Sequence, residues 1–186
     1  MATTETEKIR ELLCVDSCKL ESHQTKYSLI HCILSAVSMS YHLEHLNGKD
    51  MTKDQIAKSI GKQLYNCFSL EVYNGLMNGQ LAQSSKYTFS LLKGSLKSHR
   101  TISFGIQEYI SDWFDVDIYI LYGYKKKIRL DIGGKHHRFY HKGRDSIILF
   151  YDGKYFHNVA VQIPNSDSFS VLFSAGGSIV SNMTTQ

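Results

Sequence analysis

A hairpin in the second half constrains this 186-residue chain more than any other stretch. The run Ile147-Ile148-Leu149-Phe150-Tyr151 is rich in β-branched and aromatic residues, and Asp152-Gly153 follows it as a strong turn signal. A second run, 155–163, carries Tyr155, Phe156, His157, Asn158, Val159 and Val161. Two strands over 146–151 and 155–163 are therefore expected to pair antiparallel. Alternation puts Tyr155, His157, Val159 and Val161 on one face of the second strand.

The first half has a different period. Ile30, Ile33, Leu34, Val37 and Tyr41 recur at three- to four-residue spacing, which predicts a helix over 28–46. Ser28 stands as its N-cap and Asn47-Gly48 as its stop. A shorter helix is expected over 4–13, with Glu5 and Glu7 at its positive end, and an irregular connector over 14–26. Thr52-Lys53-Asp54-Gln55 has the form of a capping box opening a helix to residue 64. Helical pieces follow over 65–81, 87–97 and 102–114, interrupted at Gly75, Gly79 and Gly94.

From Asp117 onward the pattern is that of strands: 117–122, a weaker one at 127–132, the hairpin, and a last one over 168–173. Helices first and strands later predict an α+β fold, a helical N-terminal half packed on a mostly antiparallel sheet of about five strands. A single domain over 1–186 is expected, with a loose polar tail at 175–186.

Charge and cysteines narrow the function classes. Between 124 and 144 lie Lys125, Lys126, Lys127, Arg129, Lys135, Arg138, Lys142 and Arg144 against the single acid Asp131, within a chain of net charge +4. Such a segment offers Lys125–Lys127, Arg129, Lys135 and Arg138 to an acidic protein, a nucleic acid or a virion surface, or is a solvated loop. Cys14, Cys18, Cys32 and Cys67, with no signal-peptide pattern, fit a reducing compartment. No apolar run reaches the roughly 18 residues of a membrane span, so a soluble intracellular protein is expected. Cys14, Cys18, His23, His31 and Cys32 do not match a common zinc spacing, and His42 and His45 read as surface histidines. No metal or other cofactor is implied.

The chemistry converges on the two stretches already described. A thiol protease places its nucleophile at an electropositive helix start, a histidine nearby on a strand, and a third polar group to orient the ring. Thr25-Lys26-Tyr27-Ser28-Leu29-Ile30-His31-Cys32-Ile33 and the 147–161 hairpin resemble the ovarian-tumour (OTU) family of papain-like deubiquitinases. In that family Asp-Gly-Asn-Cys-Leu-Phe-x-x-Ile opens the central helix, and His-Tyr-(Asp/Asn)-x-(Val/Leu) opens a late strand. The resemblance extends to the region 113–121 and covers most of the chain, at low motif identity. It puts the nucleophile on Ser28 and the preceding aspartate on Thr25. It puts the histidine on Tyr155 when read without gaps, or on His157 when shifted by two, with Asn158 following as an orienting group.

Serine at Ser28 is a poor nucleophile in a site tuned for a thiolate. The resemblance thus implies a pseudoprotease, or a serine standing in for a cysteine; Ser28 as a plain N-cap and His157 as a plain strand residue is the simpler alternative. The functions implied are an OTU-like deubiquitinase domain silent with Ser28 in place and acting on ubiquitin or a ubiquitin-like protein, or a non-catalytic binding or assembly protein using the 124–144 surface. Similarity to looser relatives in large DNA viruses implies a cytoplasmic or virion-associated setting.

Overall fold

A computed structural model describes residues 4–98, 102–124, 127–131 and 134–184. Thr4 opens helix α1 (Glu5–Leu13) with a reciprocal capping box: its hydroxyl accepts the Glu7 N–H at 3.2 Å, and the Glu7 carboxylate accepts the Thr4 N–H at 2.6 Å. The expected connector contains a strand, β1 (Cys18–Ser22). The long helix expected over 28–46 is two. Helix α2 (Ser28–Val37) ends where Ser38 adopts extended backbone, and the Ser38 hydroxyl caps the single turn α3 (Met39–His42) by accepting the Tyr41 N–H. Asn47-Gly48, both at positive φ, then turn a two-residue ladder, β2 (His45–Leu46) with β3 (Lys49–Asp50).

Thr52 and Gln55 form the expected capping box of α4 (Lys53–Cys67). Helices α5 (Leu70–Gly75), α6 (Phe89–Ser98) and α7 (Phe104–Phe114) complete the helical part. Strands β4 (Asp117–Tyr124), β5 (Lys127–Asp131), β6 (Ser146–Tyr151) and β7 (Phe156–Gln162) follow, then the two-residue strands β8 (Phe169–Ser170) and β9 (Leu172–Phe173). The chain's tail is not loose up to residue 184: α8 (Ser178–Thr184) packs Val180 and Met183 into a core with Ile9 and Leu13 of α1.

The fold is mixed α+β with a mostly antiparallel sheet. Its main path runs β1-β7-β6-β4-β5, with β8 on β7 and β9 on β6. Among the described residues only β4 and β6 pair parallel. The central strands are buried on both faces, and alternation divides their side chains. Ile118, Ile120, Ile147, Leu149 and Phe156 face the core built by α2, α4, α6 and α7. Tyr119, Leu121, Ile148, Phe150, Val159 and Val161 face α1 and α8. Helices therefore cover both sides of the sheet, and the C-terminal α8 joins the N-terminal α1 in one of the two layers.

Asp117 fixes the parallel pair. Its buried carboxylate accepts the N–H groups of Lys142, Gly143 and Arg144 at 3.0, 2.8 and 3.1 Å, and Arg144 Nε at 2.9 Å. Its own N–H donates to the Asp145 carbonyl, which brings Ser146 into register beside Asp117. The hairpin β6–β7, and with it the candidate site, is thus set against β4.

Candidate functional site

The sequence places Ser28 at a helix start, and it is the first residue of α2, with Tyr27 rather than Ser28 as N-cap. Thr25 shapes the entry: its hydroxyl accepts the Tyr27 N–H and its carbonyl accepts the Ser28 N–H, both at 3.1 Å. Ser28 is only 2% exposed, and its Oγ accepts the Phe156 N–H at 3.1 Å. The hydroxyl is thereby an acceptor in a structural bond between α2 and β7, and among the described residues no imidazole is hydrogen-bonded to it.

Thr25, Ser28, Tyr151 and Tyr155 line one cavity of about 240 Å³, with Lys26 and Lys154 at its rim. Of Tyr155 and His157, Tyr155 is the one in this cavity. The Lys154 ammonium sits 4.8 Å from the Tyr155 ring centroid, a cation–π contact. Two lysines beside a helix start make the cavity electropositive.

His157 does not face Ser28. Phe156 and Asn158 point toward α2, so His157, between them, points to the opposite face of the sheet. Its Nδ1 is 2.7 Å from Ser22 Oγ at the end of β1, and its Nε2 is 2.8 Å from Asp152 Oδ2 in the hairpin turn. Asp152 also accepts the N–H groups of Lys154 and Tyr155 through Oδ1, both at 2.7 Å. Partial burial works against ionisation there, yet these amides and the imidazole hold the Asp152 carboxyl below its ordinary range. With Asp152 ionised, His157 donates to it from Nε2, and Nδ1 shares a hydrogen bond with the Ser22 hydroxyl. The connectivity is that of a Ser-His-Asp relay. Neither Ser22 nor His157 lines the cavity holding Ser28 and Tyr155, and the bonds tie the β6–β7 turn to edge strand β1.

Asn158 orients no histidine. It is fully buried, and its Nδ2 donates to the Cys32 carbonyl at 3.1 Å and to Ser35 Oγ at 2.6 Å, which clamps α2 to β7. Cys32 Sγ donates to the Phe156 carbonyl at 3.4 Å, and burial raises its thiol far above the ordinary range. Cys18 Sγ donates to the Thr6 carbonyl. His42 Nε2 bonds the Ser35 carbonyl and His45 Nδ1 bonds Asp50, so the two rings serve separate partners. Among the described residues no three His, Cys, Asp or Glu side chains are grouped to hold a metal ion, and no helix is long and apolar enough to cross a membrane.

The basic 124–144 segment is not one continuous loop. Lys125 and Lys126 lie outside the described residues, as does the side chain of Lys135. Lys127 and Arg129 are exposed on β5, and exposed Arg138 stacks on Phe139 at 4.9 Å. Lys142 and Arg144 are engaged in ion pairs instead: both pair with Asp112, Lys142 from an exposed position, and Arg144 also pairs with the buried Asp117. Two of the eight bases therefore fasten the sheet to α7.

Neither a protein-family model nor a curated protein matches this chain. The residues the sequence reading missed are Ser22 and Asp152. Asp152 sits in the recognised Asp-Gly turn five positions before His157, which is the one signal that points to it.

Proposed function

We propose that this chain is an OTU-like domain that has lost protease chemistry and works by binding, with ubiquitin or a ubiquitin-like protein as the partner of the cleft. One observation carries the reading. Thr25, Ser28 and Tyr155, on which the resemblance places the aspartate, the nucleophile and the histidine, line a single cavity. Residues far apart in sequence meet in one cavity, which supports the reading of a cleft, but the groups are a hydroxyl and a phenol. A serine whose Oγ already accepts an amide proton, with no base at hand, does not attack a carbonyl. The imidazole that could have served is committed to Ser22 and Asp152 across the sheet.

Assembly through exposed Lys127, Arg129 and Arg138 is the second reading, weakened by the ion pairs that already engage Lys142 and Arg144. Either function suits an intracellular or virion-associated protein. The test is restoration of thiol and imidazole together by Ser28→Cys with Tyr155→His, scored on ubiquitin substrates.

A further inference from the structure

A second electropositive surface lies apart from the 124–144 segment. Helix α4 exposes Lys58 and Lys62 one turn apart, and α6 exposes Lys97 beside them. Lys58, Lys62 and Lys97 line, with Tyr27 and Tyr65, a depression of about 220 Å³. On one side Lys58 and Lys62 also border a depression that reaches Lys49. On the other, the residues flanking Tyr27, Lys26 and Ser28, open into the cavity that holds Tyr155 and Lys154. Three adjoining depressions thus carry six lysines, and the acids in their linings reduce to Asp50, already bonded to His45.

None of Lys26, Lys58, Lys62, Lys97 and Lys154 forms an ion pair with a described residue. Three of them lie over rings instead. Lys97 lies 4.7 Å from the Tyr65 centroid, Lys26 lies 4.9 Å from that of Tyr27, and Lys154 is likewise over Tyr155. Unneutralised cations in a line attract a polyanion. Tyrosine faces interleaved with them add what a polycarboxylate has no use for, namely a surface on which planar bases stack. The depressions at Tyr27 and Tyr155 fall below the roughly 300–1,000 Å³ of small-molecule sites and suit one ring apiece. The large exposed apolar side chains, among them Met39, Leu43, Leu91 and Trp113, are not in these linings, which disfavours a lipid surface.

We infer that this lysine–tyrosine track binds single-stranded nucleic acid, phosphates meeting Lys58, Lys62 and Lys97 and bases stacking on Tyr65 and Tyr27. On binding, Lys97 leaves the Tyr65 ring for a phosphate and the vacated face takes a base. A duplex, whose bases are already stacked, binds more weakly. The inference stands independently of the OTU-like reading, since no step of it uses Ser28.

The test is fluorescence anisotropy of the full chain with a labelled oligothymidylate of about 15 nucleotides, within the range of single-strand site sizes. Binding is expected with a log K versus log salt slope near −2, about −0.7 for each of three phosphate contacts. Lys58→Glu/Lys62→Glu/Lys97→Glu should weaken it by at least about tenfold and flatten the slope. Tyr65→Leu should weaken it by about 5- to 100-fold, the loss of one stacked base, with the slope unchanged. Circular dichroism of each variant reports that it is folded, and Lys58→Gln/Lys62→Gln/Lys97→Gln is the milder substitute. Absence of binding at low salt overturns the inference. So does loss of binding in Lys125→Glu/Lys126→Glu/Lys127→Glu with retention in the α4–α6 variants. Equal competition by polyglutamate, with Tyr65→Leu silent, overturns it in favour of an acidic-protein partner.

Discussion

At the scale of single residues, the account rests on where three side chains point. Ser28 and Tyr155 share a cavity, and His157 lies across the sheet because strand alternation leaves it no choice. Asp152 holds the turn that presents Tyr155, accepting two amides and the His157 ring. Asp152→Ala should therefore cost about 1–3 kcal/mol, read as a lowered urea midpoint, because charge-assisted bonds are lost and His157 is left without its acceptor. The contribution has a definite pH sign. A carboxyl whose folded value is depressed stabilises above its unfolded value, about 3.9, and that stabilisation is lost as pH falls through the folded value. The deficit of the variant should accordingly shrink in acid; a deficit constant with pH would contradict it. Ser28 and Tyr155 were legible in the sequence, because a helix start and a hairpin arm have local signals. Ser22 was not, since its partner His157 lies 135 positions away and no local pattern joins them.

At the scale of elements, strong periodic segments were legible and partner-dependent ones were not. The capping boxes at Thr4 and Thr52 and the apolar runs of β4, β6 and β7 declare themselves locally. Strand β1, five residues with two charged side chains, exists through its pairing with β7. Helix α8 has weak helical propensity, and burial of Val180 and Met183 against α1 holds it. The 28–46 helix breaks at Ser38, where the side chain competes for the Tyr41 N–H and restarts the turn. Register between β4 and β6 depends on Asp117, buried and paired with Arg144. Removing one partner of such a pair leaves a buried charge, so Asp117→Ala should destabilise by about 3–5 kcal/mol. Hydrogen exchange should show the loss concentrated in 142–151; a variant as stable as the parent would refute the clamp.

At the scale of the whole molecule, three histidines make the fold sensitive to mild acid. Burial holds His23, His31 and His141 below their ordinary value, with neighbouring His31 adding to the effect at His23. His31 bonds the Tyr41 hydroxyl at 2.7 Å and stacks on His23; Asp54 lies 2.8 Å from its Nε2 and partly opposes the shift. Between the folded values and about 6.5 the unfolded chain binds more protons, so stability falls as pH falls through that window. Glu108, raised by burial, has the opposite sign at lower pH. The urea midpoint should be lower at about pH 5.5 than at about pH 7.5, and His141→Gln should narrow the difference. An unchanged or higher midpoint in acid would count against neutral burial of these rings.

The fold class was legible because helical and strand periods occupy separate halves of the chain; the second helical layer was not, because α1 and α8 come from opposite ends and meet only after folding. The central claim is that the cleft keeps its shape without its chemistry. It is tested most directly by mass spectrometry of the protein incubated with ubiquitin carrying a cysteine-reactive electrophile at its C-terminus. The unaltered chain and Tyr155→His alone should gain no mass at position 28, whereas Ser28→Cys with Tyr155→His should gain one ubiquitin, attached there. An adduct at Ser28 of the unaltered chain, as opposed to exposed Cys14 or Cys67, would contradict the loss of chemistry, and none at position 28 of the folded double variant would contradict the OTU-like cleft.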